Sequence, residues 1–470
     1  MSVTEIGYMP ATEMAARIRS MELSPVEIVR ALLDKIEAVN PRINAFSHLA
    51  ADAALAAARV AADRVRQGGA LPPLLGIPIT IKDHLAVRGM PNSSGSPLLS
   101  DVVETEDNPV VARLRAAGGV ILGKTTMPEF GWKGVSHSTL NGTTHNPWKF
   151  GYNAGASSAG AAAAAAAGLG PLHQGSDGAG SIRMPAHFSG IYGLKPSYGR
   201  VPLTAVRTGD HIVHLGPMTR TVADAALMLQ VMAGPHSADP TSLERPPEDY
   251  VALLGERPRR PRIAYSPDLG HARVDREIAD IVRKAVAVFE TDIGLDVEEV
   301  VPEWGPKGPE IQTFLWPAHQ THHIDRLAEH RATLDPGLVA CIEDSFGYTL
   351  PQYHKMLARK HAYVAQIHRF FDDWDFLLTP AGSVAAFPAD RLQPAHWPQH
   401  PWNWLSWAEF SYPFNLSWNP AASIPCGFTA EGLPVGLQIV GRRFDDLGVL
   451  QMSAAFESAR PWTQHRPPIG

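Results

Sequence analysis

Apolar and polar positions along the chain follow two different periods. Nearly continuous apolar runs, typical of strands buried on both faces, occupy 74–82, 120–122, 262–265 and 375–380. Helical patterns fall over 25–38, 52–67, 109–118, 221–233 and 275–289. This alternation predicts an α/β fold with a mixed, mostly parallel central sheet covered by helices on both faces. No repeat or linker interrupts it, so we expect one large domain over 1–470.

The C-terminal part of the chain has a different character. Residues 303–407 are rich in His, Trp and Pro, and two apolar runs, 419–428 and 432–441, predict a hairpin of core strands. Hydrophobic residues make up 45% of the chain and charged ones 19%, which is ample for a sizeable core.

Bulk charge and cysteine content exclude several classes of function. The net charge of −6 gives no electrostatic case for nucleic acid or an anionic membrane, and no run is long enough to span a bilayer. Two cysteines, Cys341 and Cys426, give no disulfide framework, and the N-terminus lacks a signal-peptide pattern. We therefore expect a soluble cytoplasmic protein.

Residues 151–200 carry the main candidate chemistry. A turn with Ser157 and Ser158 precedes seven alanines, 161–167, and a second glycine-rich turn ends at Ser181 before a short helical segment, 182–187. Free N–H groups at such a turn would hold an oxyanion beside a nucleophilic hydroxyl. A flexible linker is the alternative for the first turn, and nucleotide binding lacks the G-x-G-x-x-G spacing.

These runs resemble the signature of the amidase signature hydrolases. The match covers 155–160, 175–186 and 193–200, with alanine for glycine at positions 156, 159 and 179 and Ser176 in place of threonine. Segment 76–83 and the C-terminal hairpin resemble the family too. The resemblance implies a signature core over about 70–205 and a variable, substrate-shaping region over about 235–410.

The resemblance implies a Ser-Ser-Lys triad. Lys82 corresponds to the base, Ser157 to the relay after a cis peptide bond from Ala156, and Ser181 to the nucleophile. The residues alone leave Lys82 open: it could be a desolvated base at the end of a buried strand, or it could reach solvent or pair with Asp83.

Further roles follow from the same resemblance. Backbone N–H groups would form the oxyanion hole, at Gly178, Ala179, Gly180 and Ser181. Ser158 would support the triad by a hydrogen bond, and Asp177 with Arg183 would brace the turn. No metal or organic cofactor is implied.

The substrate pocket is predicted from the segment after residue 125. Gly131 and Trp132 are expected to flank the acyl group, beside Ser157. Four tryptophans could form another wall or an ordinary packed cluster: Trp397, Trp402, Trp404 and Trp407. A tryptophan wall would favour an apolar or aryl amide.

Three other patterns in the sequence suggest different sites. Residues 118–125 fit the phosphate-loop pattern, but their middle four read as a strand. Residues 155–159 faintly resemble a nucleophile elbow. Four histidines could bind a metal, although a solvated helix is the favoured interpretation of their segment: His319, His322, His323 and His330.

The predicted function is hydrolysis of a small-molecule carboxylic amide, with aryl amides, esters and carbamates compatible, through a seryl acyl-enzyme. The alternatives are an A-type subunit of a glutamine-dependent amidotransferase complex, which needs a partner protein, and an α/β-hydrolase-like serine esterase. A homodimer is left open.

Overall fold

Eleven strands form one central sheet in the computed structural model, which describes residues 2–204, 211–256 and 260–469. The strands in chain order are β1 Phe46–Leu49, β2 Pro78–Lys82, β3 Val120–Thr125, β4 His137–Ser138, β5 Gly142–Thr143, β6 His145–Asn146, β7 Lys149–Asn153, β8 Leu172–Asp177, β9 Tyr192–Lys195, β10 His214–Thr219, β11 Ile263–Tyr265, β12 Val297–Glu299, β13 Phe376–Pro380, β14 Ala421–Phe428 and β15 Pro434–Gly441. The order in the central sheet is β1-β3-β2-β8-β10-β9-β14-β15-β13-β11-β12, and the other four strands form two separate pairs, β4-β5 and β6-β7.

Helices cover the sheet, and five of them lie near the helical patterns of the sequence: Pro25–Ile43, Ala51–Gln67, Pro109–Ala116, Val222–Met232 and Arg276–Val288. The helices in chain order are α1 Val3–Gly7, α2 Ala11–Arg19, α3 Pro25–Ile43, α4 Ala51–Gln67, α5 Pro109–Ala116, α6 Ala159–Ala166, α7 Arg183–Ser189, α8 Val222–Met232, α9 Arg276–Val288, α10 Gly308–Gln320, α11 Ile324–His330, α12 Pro336–Asp344, α13 Leu350–Asp373, α14 Tyr412–Leu416 and α15 Asp446–Ala459. Helix α3 begins with the expected capping box, in which Ser24 and Glu27 bond each other's backbone N–H groups. One domain over 1–470 stays a prediction.

The mixed sheet is confirmed, but its mostly parallel character is wrong. Among the strand pairs of the described sheet, six are antiparallel and four parallel. The parallel pairs lie toward the two ends, in β3-β2-β8 and β13-β11-β12. The middle strands, β8 to β15, run antiparallel because β14 and β15 form a hairpin and β10 inserts between β8 and β9.

Hydrophobic cores lie on both faces of the sheet. Along β11, Ile263 and Tyr265 join one core, whereas Ala264 between them joins the other. Leu377 of β13 likewise faces the second core, opposite its two neighbours. Since successive strand residues point to opposite faces, the sheet is buried on both sides, as the apolar runs predict.

Helix α6 consists only of alanine and glycine, and all eight residues are buried. It packs against β8 and α7. A Cβ added at Gly160 would lie 2.2 Å from the Ala45 carbonyl oxygen and 2.4 Å from the Thr126 nitrogen. Because its side chains are so small, the backbone of α6 packs directly against the backbone of Ala45 and Thr126.

The structure contains, within its described ranges, no helix long and apolar enough to cross a membrane.

We expect Gly160→Ala to destabilise the protein, because the rigid backbone around it cannot yield to a methyl group. The expected loss is about 1–3 kcal/mol in the free energy of unfolding, measured by urea denaturation. Gly255→Ala is the matched control, since a Cβ there meets nothing within 4 Å. Equal denaturation midpoints for the two variants would contradict the packing of α6.

Candidate active site

The Lys82 side chain is fully buried and ends among three serine hydroxyls. Its Nζ lies 2.7 Å from Ser157 Oγ, 3.0 Å from Ser158 Oγ and 2.9 Å from Ser176 Oγ. Three chain segments bring these atoms together: Lys82 ends β2, the two adjacent serines precede α6, and Ser176 lies on β8. The Ala156–Ser157 peptide bond is cis, as predicted.

Burial sets the charge of this lysine. It lowers the pKa of Lys82 from 10.5 to about 7, although the negative charge of Asp177 acts in the opposite direction. The two alternatives for Lys82 are wrong: its side chain does not reach solvent, and Asp83 lies instead 3.4 Å from Lys124 Nζ. Near neutral pH, a large fraction of Lys82 is therefore an uncharged amine.

An uncharged amine has two N–H donors and one lone pair. Ser158 donates its own hydroxyl hydrogen to the Ser176 carbonyl oxygen at 3.1 Å, so it accepts from Lys82. The lone pair is then available to the hydroxyl hydrogen of Ser157 or Ser176. Because Ser157 has the shortest contact with Nζ, the geometry suits proton transfer from Ser157 to Lys82.

Ser176 is a site residue for which the sequence analysis predicted no contact with Lys82. The two-residue period of a strand could have indicated this contact. Gln174, two residues before Ser176 on β8, accepts the Lys82 backbone N–H at 3.2 Å. Alternate residues of β8 therefore face the end of β2. Recognising this required the β2–β8 pairing, which the sequence does not specify.

The turn that carries Ser181 is built around the Asp177 carboxylate. It accepts the N–H groups of Gly180 at 2.7 Å and Ile182 at 3.1 Å. Arg183 donates two bonds to it, both at 3.0 Å, from Nε and Nη2. This is the bracing geometry that the sequence analysis expects. It also corrects one predicted oxyanion donor, because the Gly180 N–H already donates to Asp177. The remaining candidate donors are the N–H groups of Gly178, Ala179 and Ser181.

Three residues distant in the sequence complete the bracing. Arg183 also donates to the Ser411 carbonyl oxygen at 2.9 Å, to Gln438 Oε1 at 2.8 Å and to Asn415 Oδ1 at 2.6 Å. Burial alone would raise the pKa of Asp177, but the Arg183 guanidinium holds this pKa well below its usual range. The pair is therefore ionised and fully hydrogen-bonded in the interior.

The hydroxyl cluster opens into a cavity of about 550 Å³. Its wall near the triad contains Gly131, Ser157, Ser176, Gly178 and Ser181. The two serine turns are joined directly, since the Ser158 N–H donates to the Ser181 carbonyl oxygen at 3.2 Å. Three serine hydroxyls thus face one cavity, and the buried Lys82 amine contacts two of them, Ser157 and Ser176.

A sequence model of the Amidase family matches residues 27–450. The chain belongs to the amidase signature family. The match spans nearly the whole chain, including both serine turns and Lys82, and it makes the protein a hydrolase of amide bonds.

Relatives of this amidase include acylamidases and part of an amidotransferase. An acylamidase of Rhodococcus erythropolis is 40% identical, over 99% of this chain and 98% of that protein. A glutamyl-tRNA(Gln) amidotransferase subunit of Chloroflexus aggregans is 33% identical, over 99% of each chain. The crystal structure of a bacterial aryl acylamidase of the amidase signature family superimposes with a TM-score of 0.90, at 31% identity and 97% coverage of each chain.

The predicted pocket residue Trp132 does not line the cavity of the amidase. It is 1% exposed and packs in the second core, where its carbonyl oxygen accepts the Trp404 indole N–H at 2.9 Å. Phe130 and Gly131 both have positive φ, 49° and 70°, and this tight turn directs the next side chain into the core. Phe130 takes the place in the cavity wall that the sequence predicts for Trp132.

The C-terminal tryptophans also belong to the core. All four are buried in the second core, so the packed-cluster alternative is correct and the pocket-wall alternative is wrong: Trp397, Trp402, Trp404 and Trp407.

The histidine-rich segment is not a solvated helix. His323 is 1% exposed, and three of the four histidines line the cavity: His319, His322 and His323. Within the ranges that the structure describes, no three His, Cys, Asp or Glu side chains are grouped as a metal ion would require.

Residues 118–125 form no phosphate loop. Val120–Thr125 is a fully buried strand, β3, as its apolar residues predict. Lys124 donates to the Pro91 carbonyl oxygen and to Asn92 Oδ1, both at 3.1 Å, so its side chain is hydrogen-bonded within the protein interior.

Activity should depend on pH through Lys82. Protonation below the Lys82 pKa of about 7 removes the lone pair, so kcat/KM should fall in acid and reach a plateau in mild base. The measurement is a kcat/KM profile over about pH 5 to 9 with an uncharged amide. A flat profile through neutral pH would contradict a lysine base.

We expect Asp177→Asn to leave the Arg183 charge buried and uncompensated, at a cost of about 3–5 kcal/mol in unfolding free energy. Activity should fall as well, because asparagine leaves the Ser181 turn only one of the two oxygens that accept its N–H groups. Glu343→Gln, which breaks the exposed pair with Arg331, is the control and should cost less than about 1 kcal/mol. Urea denaturation measures both, and equal effects would show that the buried pair does not hold the turn.

Proposed function

We propose that this amidase cleaves the C–N bond of a carboxylic amide through an acyl-enzyme on Ser181. Lys82 is the base and Ser157 is the proton relay. The observation that carries the proposal is the 2.7 Å contact between a buried lysine of lowered pKa and Ser157, in the cavity that also holds Ser181.

The reaction begins when Ser181 Oγ attacks the amide carbonyl carbon. Ser157 takes the Ser181 proton as it passes its own proton to Lys82. The N–H groups of Gly178, Ala179 and Ser181 stabilise the oxyanion, each by about 3–4 kcal/mol. The C–N bond then breaks, and Ser157 returns a proton from Lys82 to the leaving amine.

Water completes the cycle. The same relay removes a proton from a water molecule, which attacks the ester carbonyl of the acyl-enzyme. Release of the carboxylic acid restores the Ser181 hydroxyl and the neutral lysine. Esters and carbamates can follow the same steps, since each offers a carbonyl carbon and a leaving group.

The relatives suggest two different functions, a stand-alone amide hydrolase and a subunit of an amidotransferase. The 40% identity with an acylamidase favours a stand-alone hydrolase of small amides over a component of a glutamine-dependent transamidating complex, whose relative is 33% identical. The contact between Ser157 and a lysine rather than a histidine gives no support to the α/β-hydrolase-like alternative. We propose a cytoplasmic enzyme that acts without a protein partner; a homodimer is compatible with this function.

Ser181→Ala should lower kcat on a simple amide such as acetanilide by at least about 10³-fold, because the acyl-enzyme cannot form. The purified chain alone is assayed on acetanilide and on glutamine, with Ser100→Ala, an exposed serine, as the control. Hydroxylamine should divert the acyl group to a hydroxamate in the wild type. Activity on glutamine only, or full activity of Ser181→Ala, would overturn the proposal.

A further inference from the structure

A second cavity lies apart from the candidate active site, and we call it the tail cavity. It has a volume of about 270 Å³ and is enclosed by α9, the end of β14, α15 and the C-terminal residues that follow α15. In the part of the chain that the structure describes, no residue that lines it also lines the active-site cavity. Ligand sites usually measure about 300–1,000 Å³, so this space suits a small molecule.

The buried wall of the tail cavity is apolar. Val288, Phe456 and Trp462 line it and are 7%, 1% and 7% exposed. Phe456 packs against Phe289 with ring centroids 5.6 Å apart. The Trp462 indole N–H donates to the Arg220 carbonyl oxygen at 2.8 Å. Because their neighbours fix these rings, the wall keeps its shape before a ligand enters.

A β-bulge forms one side of the tail cavity. The pairing of β14 with β15 skips Cys426, which is therefore the extra residue of the bulge. Bulges re-aim side chains, and this one places Cys426 in the cavity wall. Phe428, which also lines the cavity, contacts two rings, with centroid distances of 4.8 Å to Trp148 and 5.1 Å to His465. This side of the cavity is therefore packed against neighbouring side chains as well.

The charged groups that line the tail cavity are basic. Lys284, Arg460 and His465 line it, and none of its described lining residues is Asp or Glu. Toward the described residues Arg460 uses only Nη1, which donates to the Ala459 carbonyl oxygen at 3.1 Å and pairs with the Asp292 carboxylate. Its Nε and Nη2 atoms are therefore available, and this edge of a guanidinium matches the two oxygens of a carboxylate.

We propose that the tail cavity binds a small apolar carboxylate. The hydrocarbon part lies against the buried wall, and the carboxylate accepts from Arg460, with Lys284 as the second cation at the rim. An amine would instead meet like charge, and a neutral ligand would leave the Arg460 donors unused. The inference does not depend on the proposed amide hydrolysis, because the described walls of the two cavities are separate.

A variant that fills the tail cavity tests the site. Calorimetry compares octanoate binding by the full chain with binding by Ala285→Leu, because Ala285 lines the cavity and a larger side chain there occupies it. Octanoate affinity should fall by at least about tenfold, since the hydrocarbon part loses its apolar contacts. Ala279→Leu, on the same helix but outside the cavity wall, is the matched control and should keep the wild-type affinity. An affinity unchanged by Ala285→Leu, as expected for octanoate bound in the active-site cavity, would overturn the inference.

Two further variants test the charge and leave the buried wall intact. Lys284→Gln and Arg460→Gln should each lower octanoate affinity by about threefold to tenfold and leave the affinity for octan-1-ol unchanged. Lys355→Gln is the control, because Lys355 is exposed and does not line the cavity. Equal losses for all three variants, or for both ligands, would show that no carboxylate is recognised at this rim. Melting temperatures check that each variant folds.

Cys426 supplies a readout within the tail cavity itself. Burial raises the pKa of its thiol, so its reaction with a maleimide is slow and is followed over hours by mass spectrometry. Octanoate at about ten times its Kd should slow this labelling about tenfold, whereas octylamine at the same concentration should not. Cys341 is fully buried, and Cys426→Ser identifies any label that it takes up. A labelling rate that octanoate leaves unchanged would contradict occupancy of the tail cavity.

Discussion

The contact between the buried Lys82 amine and three hydroxyls is the interaction on which the site depends. It requires that β2, β8 and the residues before α6 meet at one point, and the sheet order supplies this by placing β2 beside β8. The small side chains of α6 then bring Ser157 and Ser158 to the end of β2. Together β2, β8 and the start of α6 bury the Lys82 amine away from water.

Charge compensation around Asp177 supports the same condition. An unpaired carboxylate so close would stabilise the ammonium form of Lys82 and raise its pKa, as the charge of Asp177 already does in part. Arg183 offsets that charge with a bidentate pair while the carboxylate organises the Ser181 turn. One buried ion pair therefore shapes the nucleophile turn and limits the charge that the base experiences.

Sequence reasoning predicted what local motifs encode and missed what tertiary packing decides. The roles of Lys82, the two serine turns and the bracing pair follow from short runs that resemble the family's signature, whereas the residues alone leave Lys82 open. The antiparallel centre of the sheet did not follow, because strand order is a long-range property. The contact of Ser176 with Lys82 depends on the pairing of β2 with β8, and the exchange of Trp132 for Phe130 depends on two consecutive residues of positive φ, Phe130 and Gly131.

The amidase keeps its reactive groups and part of its cavity wall on separate elements. Lys82 and the hydroxyls around it lie on β2, on β8 and before α6, whereas Trp316 and His319 of the cavity wall lie on α10. Mutations at the cavity-facing positions of that helix can alter which compounds enter without touching the residues of proton transfer. Changes to a few side chains there can reshape the cavity, while the reaction chemistry is inherited unchanged.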